Sequence, residues 1–404
     1  MGKGALISPP LQPLIHSQIK AMPHELQLPK LDISPFLDSA RSDPAQRRQA
    51  AADLDHHLTA YGFLYLTGFD AVVSQQDLDA VLDVSRAFFA RPDAEKVKLK
   101  IQRGDGARGE LAAGRARIPI LCGPSKRAED RFRFAHRLAE DGRERDRRIL
   151  RLARRQVPRL TTRTLAFRQL TDPDLPGTGW DCYKPFPSEE EDPTKLLHGP
   201  NRWPSQPANF RPLLEAHFEK MQLLGHALME ATAMALGLHG GENEDDDYAR
   251  LKSWVSDPFW VARCIGYPPL PPDAKGVSCG AHKDYGNWTL LLADPTPGAL
   301  QVFLRDPQGS ETDPDSGERG TWINADPKPG CLVVNVGEMV EVYSAGRYKA
   351  TLHRVIHKSP TYRVSVPFFF EPNFDATITV SGVCAPRRDD NASSRRSTYK
   401  YKQF

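Results

Sequence analysis

The sequence predicts an α+β chain in which helices flank an antiparallel sandwich or barrel such as a jelly roll. Three observations predict it. Phe210, Leu213, Leu214, Phe218, Met221, Leu224, Leu228 and Met234 recur at helical spacing and give a face broad enough for a scaffold helix. After Tyr267-Pro268-Pro269, short β-like runs appear at 277–283, 287–293, 299–304, 331–336, 351–357 and 362–370. Gly, Pro and Asp clusters separate them, with no long helix between. Finally, 404 residues that are 40% hydrophobic and 26% charged can bury a sizeable core, which excludes global disorder.

The elements follow in order. Residues 1–27 hold four prolines and read as a loose leader. Leu28-Pro29-Lys30-Leu31-Asp32-Ile33 reads as a short strand. Asp43-Pro44 opens a helix through Leu54 and Leu58, with Gly62 as its stop. Phe63-Leu64-Tyr65-Leu66 is a strand ending at Gly68. Gln76 to Ala90 is a helix with Leu78, Val81, Leu82 and Ser85 on one face, and it stops before Pro92. Between Lys126 and Arg168 apolar residues are too sparse to define a buried face. A helix from Glu129 to Arg155 would carry charge nearly all round, as solvated or disordered insertions do. The scaffold helix ends at Gly237 or Gly240-Gly241. The polar span Arg305–Arg319, rich in Gly, Pro and Asp, suits an elongated surface hairpin.

Charge is unevenly spread. Residues 101–170 hold 18 Arg and one Lys against eight Asp and Glu, so this stretch carries +11 and the rest of the chain −8 within a net +3. Such a stretch invites a nucleic-acid reading. It lacks regular aromatic interleaving and any recognised module, so nucleic acid ranks behind the other partners. Six scattered cysteines with no C-x-x-C pair argue against a disulfide scaffold or a Cys-type zinc site. No apolar run approaches the ~18 residues of a membrane span. The first residues lack a signal pattern, and Leu6 sits where myristoylation needs Ser or Thr. A cytoplasmic protein is the expectation.

The chemistry concentrates at His282-Lys283-Asp284. On a strand, residues i and i+2 share a face, so an imidazole and a carboxylate converge on one cation. His353, on the later run Thr351-Leu352-His353-Arg354-Val355, offers a third ligand. Two His and one carboxylate on one side of a metal leave the other side open, the arrangement of non-haem Fe(II) oxygenases. Ten residues after His353, Arg363 and Ser365 repeat the same-face logic. A guanidinium fork and a hydroxyl suit a carboxylate, although a strand-edge surface ion pair would use the same residues.

At these residues the chain resembles the isopenicillin N synthase-like family of Fe(II)/2-oxoglutarate-dependent oxygenases. The resemblance rests on an ordered set: Leu28–Ile33, Tyr61-Gly62-Phe63-Leu64-Tyr65, Phe88-Phe89-Ala90-Arg91-Pro92 with Lys96, Gly199-Pro200-Asn201-Arg202-Trp203-Pro204, Ile265-Gly266-Tyr267-Pro268-Pro269, His282-Lys283-Asp284-Tyr285-Gly286, Gly298-Ala299-Leu300-Gln301-Val302, Val334-Asn335-Val336-Gly337-Glu338, His353-Arg354-Val355 and Arg363–Phe369. The chain departs from the family at Lys283, where Thr is usual, and at Thr67-Gly68-Phe69, where Asn-His-Gly is usual.

The resemblance implies a distorted jelly roll (double-stranded β-helix) flanked by helices. It implies that His282, Asp284 and His353 bind Fe(II), and that Arg363 and Ser365, helped by Tyr267, hold the distal carboxylate of 2-oxoglutarate. O₂ would be the second co-substrate and ascorbate an accessory reductant. The reaction would be hydroxylation, desaturation or ring closure on a small organic molecule, in secondary metabolism by analogy with relatives. Phe369, on the face of Arg363 and Ser365, Val355, on the face of His353, and Leu291, two beyond Thr289, are candidate pocket walls; core packing is their plainer reading.

The implied organisation is an N-terminal dioxygenase region (28–105), an Arg-rich insertion or gene-model artefact (110–176), a helical scaffold (177–256), the catalytic core (257–376) and a C-terminal tail (377–404). Two alternatives stay open. Some relatives are iron oxidases without 2-oxoglutarate, whose R-x-S pair holds the substrate's own carboxylate. The other is a non-catalytic nucleic-acid-binding protein using the basic segment. Oligomeric state is not legible. Among plainer features, His56-His57 reads as surface, His24-Glu25 lacks the second His of a zinc helix, and Arg103–Gly109 lacks the Lys-Ser/Thr of a phosphate loop.

Overall fold

The computed structural model describes residues 27–38, 42–99, 109–111, 178–186, 200–238, 247–269, 278–313, 317–374, 376–379 and 398–400. The leader, most of the Gly-rich 103–109 stretch and the Arg-rich 110–176 segment, apart from Glu110 and Leu111, lie outside these residues.

In chain order the elements are β1 (Lys30–Asp32), α1 (Pro44–Ala60), β2 (Phe63–Thr67), α2 (Gln75–Phe89), α3 (Asp93–Lys96), β3 (Gly109–Leu111), β4 (Thr178–Tyr183), α4 (Phe210–Ala235) and α5 (Asp247–Trp254). Then come β5 (Pro258–Tyr267), β6 (Cys279–His282), β7 (Trp288–Ala293), β8 (Leu300–Arg305), β9 (Glu311–Thr312), β10 (Arg319–Asn324), β11 (Leu332–Val336), α6 (Glu338–Tyr343), β12 (His353–Val355), β13 (Arg363–Asn373), β14 (Thr377–Thr379) and β15 (Thr398–Lys400). The large sheet runs β1-β2-β11-β7-β13-β5-β4-β3 and the small one β6-β12-β8-β10-β9; β14 and β15 form a separate ribbon. Pairing is antiparallel except β1 with β2. Two packed antiparallel sheets with helices on one flank are the distorted jelly roll expected.

Local signals explain the helix starts. Asp43 caps α1, its carboxylate accepting the Ala45 N–H at 2.8 Å with Pro44 as the first helical residue. Ser74 and Asp77 form a capping box on α2. Gly62 and Gly237, at φ +67° and +72°, end α1 and α4 in the left-handed conformation that glycine adopts without strain.

The scaffold helix α4 lies on the outer face of the large sheet. Its Phe218 ring sits 5.9 Å from Phe368 and 5.1 Å from Trp260, and Gly225 leaves the room that the Phe370 ring occupies. From Arg363 to Phe370 the even-numbered residues of β13 therefore face the helices and the odd-numbered ones face the small sheet; the register shifts beyond Phe370.

Strands from several segments of the chain build the large sheet. Outside residues 257–376, β1, β2, β3 and β4 all join the large sheet, which covers edges that would otherwise expose unpaired backbone. Strand β5 carries no alternating signal because both its faces are covered and nine of its residues are buried. The hairpin at 305–319 is present: β9 pairs with β10, which continues the polar span into a strand.

Candidate active site

His282 ends β6, Asp284 follows two residues later, and His353 opens β12. The two histidines are direct cross-strand partners in the small sheet. His282 and His353 therefore face one way from neighbouring strands, and the chain turn after β6 swings Asp284 between them. Its Oδ1 lies 3.8 Å from His282 Nε2 and 3.7 Å from His353 Nε2. One donor atom from each residue falls within 4.8 Å of the others. Two imidazole nitrogens and one carboxylate oxygen at this separation suit a first-row divalent ion.

Each donor is held from behind. His282 Nδ1 bonds to the Gly280 carbonyl at 2.8 Å and His353 Nδ1 to the Thr351 carbonyl at 3.1 Å, leaving both Nε2 atoms directed at the cluster. Asp284 Oδ2 accepts from Thr289 Oγ1 at 2.6 Å and from Asn335 Nδ2 at 2.7 Å, so Oδ1 is left for the cluster. Burial opposes ionisation of Asp284. The imidazoles of His353 and His282 and these two hydrogen bonds outweigh it and hold the carboxyl below the usual range. Burial and the nearby His282 push His353 down to about 4, so it is a neutral imidazole at physiological pH. Lys283 points away and pairs with Asp313 at 3.1 Å, tying the turn to the 305–319 hairpin.

Thr289 and Asn335 were missed as functional residues. Asn335 carried a usable signal, a polar side chain within the apolar strand Leu332–Val336, where burial demands a partner. Because both donate to Asp284, their sheet face is the one that looks onto the cluster. Cross-strand partners share that face, which extends it from Asn335 and Thr289 to Phe369 and Val261.

On this face, at the start of β13, Arg363 and Ser365 stand opposite Tyr267 and Ile265 of β5. Arg363 is 1% exposed, and its Nε and Nη1 have no hydrogen-bond partner. The guanidinium stacks 4.7 Å over the Tyr267 ring. A buried cation with idle donors is costly unless an anion completes it. A carboxylate between Arg363 and Ser365 would do so, and a strand-edge surface pair is excluded by the burial.

The wall candidates divide. Leu291 and Val355 join one inter-sheet cluster with Phe63, Tyr65 and Tyr267, whereas Phe369, half-buried, borders the larger hydrophobic cluster. His357, shielded from solvent, bonds the Thr361 carbonyl at 2.9 Å and stands outside the donor set.

Glu371, two residues beyond Phe369, is a further buried group of this region. Its Oε2 accepts the Asn287 N–H at 3.1 Å. Burial, with a smaller contribution from Asp284, pushes its carboxyl up to about 8.

Comparisons with known proteins agree with this architecture. Residues 256–372 match the model of the 2OG-Fe(II) oxygenase superfamily, and residues 28–149 match that of the non-haem dioxygenase in morphine synthesis N-terminal region. The second match runs well into the Arg-rich segment. The chain is 31% identical to homoarginine-6-hydroxylase 2-ODD-233 of Oryza sativa subsp. japonica, over 92% of this chain and 94% of that one. It is 30% identical to the 2-oxoglutarate-dependent dioxygenase citB of Monascus ruber, over 86% and 85%. Among solved structures, a full-length Neurospora crassa protein in complex with alpha-KG and 5-formyluracil superposes with a TM-score of 0.63 at 19% identity, covering 96% and 97% of the two chains. The chain belongs to the 2OG-Fe(II) oxygenase superfamily. It is an enzyme, a non-haem dioxygenase that uses Fe(II), 2-oxoglutarate and O₂.

Proposed function

We propose that His282, Asp284 and His353 hold the Fe(II), and that Arg363, Ser365 and Tyr267 hold the distal carboxylate of 2-oxoglutarate. The observation that carries the reading is the pairing of a three-donor cluster within 4.8 Å with a buried, underused guanidinium on the adjoining sheet. When bound, iron and 2-oxoglutarate activate O₂ to oxidise a C–H bond, with succinate and CO₂ as co-products. The protein's share is to keep both Nε2 atoms and Asp284 Oδ1 aimed at one point, to orient the co-substrate through Arg363, and to exclude water.

The reaction we assign is hydroxylation of a small polar molecule in secondary metabolism. Curated relatives named homoarginine-6-hydroxylases and fungal dioxygenases support a small substrate. Phe369, Leu291 and Val355 are the pocket walls in this reading. The cytoplasm is the assigned compartment; the cysteines of the described residues are free thiols, and no described helix is long and apolar enough to cross a membrane. We retain the five-part organisation, in which residues 110–176, apart from the two that complete β3, stand outside the working enzyme.

Succinate formation from 2-oxoglutarate under O₂, dependent on added Fe(II), tests the assignment. Substrate oxidation without succinate would favour an oxidase whose Arg363 and Ser365 bind the substrate's own carboxylate.

A further inference from the structure

The two ends of the site differ in what they hold. His282, His353, Val302 and Ile323 form one row across the small sheet. To one side of that row, past Val355, the His357 ring comes within 6.3 Å of the Tyr267 ring, on which Arg363 stacks. The co-substrate end of the site lies there. To the other side the chain leaves β6 at Lys283 and β8 after Arg305. The turn that carries Asp284 and the 305–319 hairpin therefore project together, from the end that Arg363 does not occupy.

Lys283 Nζ lies 3.1 Å from Asp313 Oδ2, and the two side chains are 17% and 3% exposed. A flat sheet would forbid this contact. Strands β6 and β9 are the opposite edges of the small sheet, and four strand spacings separate them by about 19 Å. Thr312, next to Asp313, pairs with Arg319, which lies four residues beyond Ile323 and so about 14 Å further along the strands. No lysine side chain spans that distance. The contact forms because the sheet curls and the hairpin folds back over its end, toward the Asp284 turn. That turn is held independently. The Asp284 carbonyl accepts the Glu338 N–H at 2.9 Å, the Asn287 carbonyl accepts the Gly337 N–H at 2.9 Å, and Thr289 and Asn335 hold Asp284 Oδ2. The ion pair therefore acts on the hairpin more than on the metal donors.

We propose that the described arms of the hairpin, residues 305–313 and 317–319, form the outer wall of the entrance to the cluster, and that Lys283 and Asp313 are the positioning residues of that wall. The inference rests on the assignment of the cluster and of Arg363 made above. Arg363 lies beyond the cluster from this entrance, so 2-oxoglutarate passes the wall on its way in and on its way out. A wall drawn close slows both passages by one factor and leaves affinity unchanged. Breaking the pair strands the buried Asp313 carboxylate, which regains water only if the hairpin moves outward.

Stopped-flow mixing of 2-oxoglutarate with the anaerobic, Fe(II)-loaded full chain reads kon and koff separately. Lys283→Thr and Asp313→Asn should each raise both rates about tenfold, the order of one lost hydrogen bond between charged groups, with the Kd values for 2-oxoglutarate and Fe(II) within about twofold of wild type. The reversed pair, Lys283→Asp with Asp313→Lys, should restore the slow rates, which general loosening of the fold would not do. Hydrogen exchange on the metal-free chain reads the wall directly. The Asp313 and Gly317 amides, bonded to the Glu318 and Asp313 carbonyls, should exchange faster in both single variants. Rates unchanged in both would overturn the inference. So would rates that change only together with Fe(II) affinity, because the pair would then support the metal turn. Failure of wild-type protein to bind 2-oxoglutarate would overturn the co-substrate assignment and this inference together, whereas wild-type exchange at Asp313 and Gly317 in the variants would overturn the inference alone.

Discussion

Replacing Arg363 by leucine probes the co-substrate assignment most directly. In the free protein the guanidinium is fully buried, stacks on Tyr267 and leaves Nε and Nη1 without acceptors. Two charge-assisted hydrogen bonds at about 1.5–3 kcal/mol each give an upper range of about 3–6 kcal/mol for holding a carboxylate there. Ser365 and Tyr267 remain in the variant and recover part of this. The KM for 2-oxoglutarate should therefore rise by at least about a hundredfold, equivalent to about 2.7 kcal/mol. Stability should move the other way. Leucine removes an uncompensated buried charge, so the variant without co-substrate should melt no lower than wild type. Saturating 2-oxoglutarate should raise the wild-type Tm through linkage and leave the variant's unchanged. Succinate release across a co-substrate titration and thermal melts with and without 2-oxoglutarate provide the readings. A KM within threefold of wild type would refute the role, and a large loss of stability in the free variant would show that the guanidinium serves packing.

Three further outcomes are expected. His353→Ala should lose bound Fe(II) and activity together, with metal analysis as the check; unchanged iron stoichiometry would contradict the ligand assignment. Thr289→Val and Asn335→Leu each remove one of the two hydrogen bonds on Asp284 Oδ2. Each should weaken iron binding by about 10–100-fold with little change in 2-oxoglutarate affinity, measured by competition with a chelator. The third concerns His217 of α4, buried with both ring nitrogens unpartnered, whose pKa is lowered to about 4 by burial, with Lys220 adding and Asp77 opposing. Its folded value lies below the ordinary 6.5, so the unfolded chain takes up the proton first. The neutral ring's contribution is fully present above about pH 6.5 and is lost as pH falls toward 4, up to about 3 kcal/mol. The Tm of His217→Phe should fall less than that of wild type between pH 7 and 4, and parallel curves would remove His217 from the acid response.

Particular residues show how far the sequence could be read. The metal donors were legible because a strand's two-residue repeat places His282 and Asp284 together, and because His353 and Arg363 keep a recognisable order along the chain. The helices were legible where caps and glycine stops are local, as at Asp43, Ser74 and Gly237. Strand β4 and strand β5 were not: adjacent Trp180 and Asp181, like most of Pro258–Tyr267, are buried on opposite faces and show no alternation. Asn335 reaches Asp284 across 51 residues of chain, a distance no local pattern spans.

Residue order alone specifies the kinds of donor available and the strand faces on which they lie. Alternation along a strand and caps at a helix end are properties of near neighbours, and they survive without knowledge of the fold. Which of those groups are satisfied is a property of the folded chain. Arg263 and Arg363 are both arginines buried on neighbouring strands, yet one is closed off by Asp181 and the other keeps two idle donors. Glu371 reads as an ordinary acidic residue until the sheet buries it against Gly286 and pushes its carboxyl up to about 8. Whether a charge is spent or still available depends on long-range pairing and on the exclusion of water, and both exist only once the two sheets have closed over the site.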